Sequence, residues 1–118
     1  MLRPVKRTPE QRLSFDQLRE RYPRTAERFR ALGYWRPIKE DDIVRELEEF
    51  FDVQCNYVIH LEGVTEHGQV IGYWPKLSVR YKPAYFGKDW FPDKEAARLF
   101  ILDLAAFILE EELRIKEQ

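Results

Sequence analysis

One segment near the end of the chain is apolar around almost its whole circumference. Residues 96–109 read AARLFILDLAAFIL, and only Arg98 and Asp103 interrupt the apolar run. With Asp93 as N-cap, this pattern predicts one long helix over residues 93–115. A surface helix normally has an apolar stripe and a polar side, so this one must be covered on more than one side. It is too interrupted to cross a bilayer, which requires about 20 apolar residues.

The segment before this helix, residues 53–92, has the two-residue alternation of β-strands. Three stretches predict strand, namely residues 55–62, 69–73 and 76–81. Residues 63–68 are polar with a glycine at each end, which predicts a hairpin loop. Pro75 predicts an edge, bulge or break between the second and third stretches. In the third stretch, alternation directs Leu77, Val79 and Tyr81 toward the helix and Lys76, Ser78, Arg80 and Lys82 away from it.

The first half of the chain, residues 8–52, predicts a helical part. Capping boxes allow a first helix to begin near residue 9 or near residue 15 and to end before Pro23. A second helix over Arg24–Leu32 is expected to end at Gly33. The third, Ile43–Phe51, has one apolar side and one acidic side. Residues 1–7 predict a mobile basic arm.

Length and composition indicate a single domain of residues 1–118. The chain is 44% hydrophobic and 35% charged, which is typical of a folded globular protein. Helical segments, strands and a final helix in this order predict an α+β fold. Its core would be α-β-β-β-α, with a small antiparallel sheet of two to four strands and the long C-terminal helix packed on it. One cysteine and no visible secretory signal favour a cytoplasmic location.

The charged residues are unevenly distributed along the chain. Residues 1–37 contain ten Lys and Arg against four Asp and Glu, a net charge of +6. The remaining 81 residues contain ten bases against seventeen acids, a net charge of −7. Either an acidic partner for the N-terminal part or pairing between the two parts accounts for such asymmetry. A solvated arginine-rich surface is the third interpretation.

Only one cluster of residues is a candidate for catalysis or metal binding. It comprises Cys55, His60, Glu62, Glu66 and His67. A metal site needs three or four converging ligands, and this spacing matches no zinc signature. By alternation Cys55 shares the core-facing side with Tyr57, which predicts a packed thiol rather than a nucleophile. The sequence also lacks a glycine-rich phosphate loop and the common hydrolase motifs. We therefore predict no enzymatic activity, no cofactor and no metal.

Nucleic-acid binding is one of two functions that the sequence suggests. Its candidate residues are Lys76, Arg80, Lys82, Tyr73 and Lys88. Cations contact phosphates and aromatic rings stack on bases, so this mixture suits single strands. The order of helix Ile43–Phe51, strands within Asn56–Phe86 and helix Lys94–Glu112 also resembles the double-stranded RNA-binding domain in outline. The lysine pair of that family would fall at residues 93–95, where one base stands between two acids, and no residue role is carried over.

Protein binding is the function that we favour from the sequence. The candidate residues are Trp35, Trp74, Trp90, Arg28 and Arg36, because tryptophans in or beside turns and exposed arginines are common anchors at interfaces. The expected type is a small regulatory or assembly module, an inhibitor or adaptor, and a mobile element is one candidate source. If the N-terminal helices left the C-terminal helix partly uncovered, that helix would form a homodimer.

Overall fold

The computed structural model describes residues 13–34, 42–86 and 89–117, and all structural statements concern these residues. The elements in chain order are α1 (Phe15–Arg21), α2 (Pro23–Ala31), α3 (Val44–Glu49), a π-helix (Phe50–Gln54), β1 (Tyr57–Glu66), β2 (Gln69–Val79), β3 (Lys82–Phe86) and α4 (Lys94–Lys116). The strands form one antiparallel sheet in the order β1-β2-β3. The predicted α+β fold, with the long C-terminal helix on the sheet, is confirmed.

The predicted hairpin joins β1 and β2, but its loop is shorter than the predicted residues 63–68. Strand β1 continues to Glu66 and pairs with Gln69, so only His67 and Gly68 form the turn. Both turn residues have positive φ, 52° for His67 and 79° for Gly68, as a two-residue hairpin turn requires. Backbone hydrogen bonding to β2 keeps residues 63–66 in the strand despite their polar composition.

Pro75 does not break the strand, because it lies where no backbone donor is needed. Tyr73 exchanges two backbone hydrogen bonds with Phe91, which shows that its N–H and C=O point away from β1. The backbone of Pro75, two residues on, points to the same side. Strand β3 pairs with β2 only from Lys76 onward, so Pro75 occupies the gap between β3 and Phe91. A continuous β2 over Gln69–Val79 is the result.

The predicted orientations at residues 80 and 81 are also corrected. Arg80 and Tyr81 form the two-residue turn between β2 and β3, with φ of 50° and 71°. Tyr81 therefore does not face the helix, and 87% of it is exposed. The Arg80 side chain folds back over the Tyr57 ring and reaches α4 instead of pointing away from it. A turn rotates side chains out of the alternation that a continuous strand would impose.

The N-terminal helices begin and end near the predicted residues. Ser14 accepts from the Gln17 N–H and donates its own N–H to the Gln17 side chain, which confirms the capping box that starts α1 near residue 15. Gly33 follows α2 with φ +84°, as a helix stop. The third predicted helix is longer than expected, because the π-helix extends it beyond Phe51. The other capping box and the predicted arm, residues 1–11, lie outside the described residues.

Helix α4 lies between the sheet and the N-terminal helices, and one core contains all three. That core includes Phe15 and Phe29 from the first two helices, Leu47 from α3, Leu77 from the sheet and Leu102 from α4. The expectation that this apolar helix is covered on more than one side is therefore met. Among the helices that the structure describes, none has the length and apolar content needed to cross a membrane.

Candidate protein-binding face

Trp74 lies on the side of the sheet opposite to α4. Its neighbours in β2, Tyr73 and Pro75, point inward, and Tyr73 packs with Phe91 in a small core cluster. Alternation along the strand therefore directs Trp74 outward, where it is half-buried. Its indole Nε1 is buried and has no hydrogen-bond acceptor among the residues that the structure describes.

Trp90 lies on the same outer side because the chain at residues 90 and 91 runs alongside β2. The Tyr73–Phe91 bridge holds Phe91 inward, which directs Trp90 outward onto Gly72. A Cβ at Gly72 would clash with the Trp90 ring and would lie 2.7 Å from the carbonyl oxygen of Phe91. Only glycine permits this close approach. Gly72 and Trp74 are two residues apart in β2, so the two tryptophans share one face.

Further side chains extend this face across the three strands. Lys76 forms an ion pair with Glu62 of β1 at 3.1 Å, and its ammonium lies 5.6 Å from the centre of the Phe86 ring. Phe86 and Val58 are 62% and 45% exposed. We define the tryptophan face as Val58, Glu62, Trp74, Lys76, Phe86 and Trp90. It is an aromatic surface whose one lysine is already neutralised by a carboxylate.

Of the other nucleic-acid candidates that the structure describes, Arg80 and Tyr73 are engaged in contacts within the protein. Arg80 donates to both carboxylate oxygens of Glu112 at 2.9 and 2.5 Å, and this pairing holds the pKa of Glu112 below its usual range. Tyr73 is packed in the small core cluster, with the Lys94 ammonium 5.8 Å from its ring centre. Lys82 is exposed in β3, and Lys88 lies outside the described residues.

Two N-terminal arginines are paired with acids on α4 or directly after its last residue. Arg21 reaches Asp103 at 3.0 Å, and Arg24 reaches Glu110 at 3.1 Å and Glu117 at 2.8 Å. These contacts join α1 and α2 to α4. Part of the charge asymmetry along the chain is therefore internal pairing, one of the interpretations that the sequence left open.

Buried polar groups reinforce this junction between the helices. The carboxylate of Glu110, which is 7% exposed, accepts the backbone N–H of Thr25 at 2.9 Å. The Thr25 hydroxyl donates to the carbonyl of Ala106 at 3.1 Å. Burial, together with the neighbouring Asp103 carboxylate that accepts its hydroxyl, raises the pKa of Tyr22 to about 12. These bonds fix α2 on α4 in one position.

Arg28, one of the predicted partner-binding residues, lines an open groove between α2 and the end of α4. The groove has a volume of about 660 Å³ and includes Ala31, Leu113 and Lys116. It lies on the helical side of the protein, whereas Trp74 and Trp90 lie on the outer side of the sheet. Trp35 and Arg36 lie outside the described residues. Of the predicted partner-binding residues that the structure describes, Trp74 and Trp90 thus share one surface and Arg28 lies on another.

Helix α4 keeps a small exposed apolar area of its own. Leu99, Leu102, Ala106 and Leu109, which share one side, are all buried. On the other side Leu104 and Ile108 are half-buried, and Phe107 is 49% exposed. The homodimer through this helix stays a prediction, with Phe107 as its most exposed contact.

The five residues considered for catalysis or metal binding do not converge on one site, although the Glu66 carboxylate lies 3.7 Å from the His67 imidazole. In the described part of the chain, no three His, Cys, Asp or Glu side chains are placed to hold a metal ion. Burial raises the pKa of the Cys55 thiol to about 11, which leaves it protonated and unreactive at neutral pH. His67 lies in the β1–β2 turn with 90% of its side chain exposed.

The sequence pointed to Trp74 and Trp90 separately and missed what brings them together. Gly72 and Phe86 were not among the candidate residues. A lone glycine inside a predicted strand is a signal of close approach by another group, and Gly72 carries that signal.

Comparison with known proteins leaves the chain without an assigned family, because no family model, no curated protein and no solved structure matches it.

Proposed function

We propose that this chain is a non-enzymatic protein-binding module of the inhibitor or adaptor type, which binds its partner through the tryptophan face. The observation that carries this proposal is the position of Trp74 and Trp90 on one side of the sheet, away from α4. Tryptophan is among the residues most enriched where truncation weakens protein complexes. Interface centres are also depleted in charged residues, and the two charged side chains of this face, Lys76 and Glu62, pair with each other.

Charge pairing supports a protein partner over a nucleic acid. Nucleic-acid binding draws most of its affinity from lysines and arginines that neutralise phosphates. Lys76 and Arg80 each contact a carboxylate within the protein, at 3.1 Å and 2.5 Å. A phosphate would have to displace Glu62 or Glu112. A protein surface that is aromatic, or whose charges are already paired, would not have to displace either carboxylate.

Affinity capture from the native host tests the proposal. The full chain is the bait, and Trp74→Ala and Phe86→Ser are the test variants, each checked for folding by circular dichroism. We expect Trp74→Ala to weaken binding of the captured protein about thirtyfold, as for a central interface tryptophan. The matched control is Phe107→Ser, because Phe107 is similarly exposed but lies on α4. Loss of capture with Phe107→Ser and not with Trp74→Ala would overturn the proposal.

The alternative function, nucleic-acid binding, would use the arginine-rich N-terminal segment, whose net charge is +6, together with the sheet cations Lys76, Arg80 and Lys82. A gel-shift titration with single- and double-stranded DNA and RNA at two salt concentrations tests it. A shift that weakens steeply with salt, and that Lys76→Glu with Lys82→Glu abolishes, would favour this alternative. We expect no shift at micromolar protein.

A further inference from the structure

Among the residues that the structure describes, none pairs with the outer edge of β1, which presents a row of backbone hydrogen-bonding groups. The backbone N–H and C=O of Tyr73 bond to Phe91, on the side of β2 away from β1. Those of the next residue, Trp74, therefore point toward β1, where Glu62 lies opposite. Backbone direction alternates along β1, so His60 and Glu62 bond to β2 while Ile59 and Leu61 point to the outer edge. No residue in ranges 13–34, 42–86 and 89–117 donates to or accepts from that edge between Tyr57 and Glu66.

The two edges of the sheet differ in how they resist pairing with another strand. Strand β3 has five residues and contains Lys82 and Pro83, and a short strand with Lys and Pro is a common way to block an edge. Strand β1 has ten residues and contains neither Lys nor Pro. The β1 edge therefore lacks the protection that the β3 edge has.

The sequence of β1 is complementary to itself when it is read in the opposite direction. With Leu61 at the centre of an antiparallel pair, His60 lies opposite Glu62 of the second copy, and Val58 lies opposite Val64. A shift by one position to either side places His60 opposite His60, or Glu62 opposite Glu62. An imidazole N–H can donate a hydrogen bond to a facing carboxylate, whereas two facing carboxylates repel each other. Among these three registers, only the one centred on Leu61 places each His60 opposite a Glu62.

We propose that two copies of this chain associate through β1, antiparallel about Leu61, and form a continuous six-stranded sheet. Ile59 and Leu61, which are half-buried in one chain, would be covered by the second copy. The Trp74 side chains of the two copies would lie on the same outer face, three strand spacings or about 14 Å apart across the sheet. This association does not use α4, and it shares only Val58 and Glu62 with the tryptophan face, so its test does not depend on the proposed function.

Light scattering on the isolated full chain tests the association. The expected mass is twice that of one chain at high concentration. His60→Glu places Glu opposite Glu62 at two positions and is expected to raise the dissociation constant about tenfold or more. The double variant His60→Glu with Glu62→His restores both opposite pairs and is expected to restore the dimer. Ala84→Glu adds the same charge to β3 and is the matched control, with no expected effect. The mass of one chain at every concentration would overturn the proposal.

Disulfide cross-linking tests the register. The outward-facing pairs in this dimer are non-hydrogen-bonded, with Cα atoms about 4.5 Å apart, which a disulfide can bridge. In a Cys55→Ser background, a mixture of Val58→Cys and Val64→Cys chains is expected to cross-link on mild oxidation. His60→Cys alone would cross-link only in the register centred on His60, and Glu62→Cys alone only in that centred on Glu62. Cross-linking of either single variant, and not of the mixture, would overturn the inference.

Discussion

The two faces of the sheet are used in opposite ways. On the inner face, Leu77 and Tyr57 are buried under α4, and that helix is in turn held by α1 and α2 through paired charges. On the outer face, Phe86 and Val58 keep about half or more of their surface exposed beside Trp74 and Trp90. The same strands supply both faces. The packing that stabilises the fold is therefore on the inner face, and aromatic surface is left on the outer face.

The largest expected contrast is between two apolar side chains on opposite faces. Leu77 is 1% exposed, and Leu77→Ala is expected to lower the free energy of unfolding by about 2–5 kcal/mol through lost burial and a cavity. Phe86 is 62% exposed, and Phe86→Ala is expected to lower it by about 0.5 kcal/mol. Urea unfolding of both variants measures the difference. Equal losses would contradict the assignment of the two faces.

Next in size is the buried contact that holds α2 on α4. Glu110→Ala leaves the buried Thr25 N–H without its acceptor, and we expect a loss of about 1–3 kcal/mol in unfolding free energy. The adjacent Glu111 pairs with Arg114 one turn along the helix and is half exposed. Glu111→Ala is the matched control, with an expected loss of about 0.3–0.5 kcal/mol. Similar losses for the two variants would show that the junction does not depend on Glu110.

A comparison of two strand glycines sharpens the description of the outer face. Gly72→Ala would place a Cβ against the Trp90 ring, and we expect a loss of about 1–3 kcal/mol and a shift in tryptophan fluorescence as the ring moves. At Gly63 the nearest atom to a Cβ would be Val70, at an ordinary 3.6 Å. Gly63→Ala is therefore expected to change neither property. An unchanged spectrum for Gly72→Ala would remove Trp90 from the face.

The smallest expected effect is the acid dependence of the Arg80–Glu112 pair. The pKa of Glu112 is lower in the folded protein, chiefly because Arg80 donates to its carboxylate. The stabilisation is therefore present above the unfolded pKa, about 4.3, and is lost as the pH falls through the folded pKa. Glu112→Gln is expected to cost about 0.5–1 kcal/mol at pH 7 and progressively less as the pH falls below about 4.3, as measured by urea unfolding. A cost that persists undiminished at pH 2 would contradict this.

Local patterns predicted most of the elements. The alternation around Tyr57 and the apolar run of α4 depend on nearby residues, so they could be read from the sequence. The position of Trp90 could not, because it depends on the bridge between Tyr73 and Phe91, which are distant in sequence. The pairing of Arg80 with Glu112 was missed for the same reason, since a turn redirected the arginine.

Hydroxyl-radical footprinting of the captured complex, compared with the free protein, tests most directly whether the outer face of the sheet is the binding surface. The partner is expected to protect Trp74, Trp90 and Phe86 from oxidation, while Phe107 on α4 keeps the modification rate of the free protein. Protection of Phe107 or of the groove at Leu113, with unchanged oxidation of both tryptophans, would contradict the proposed function.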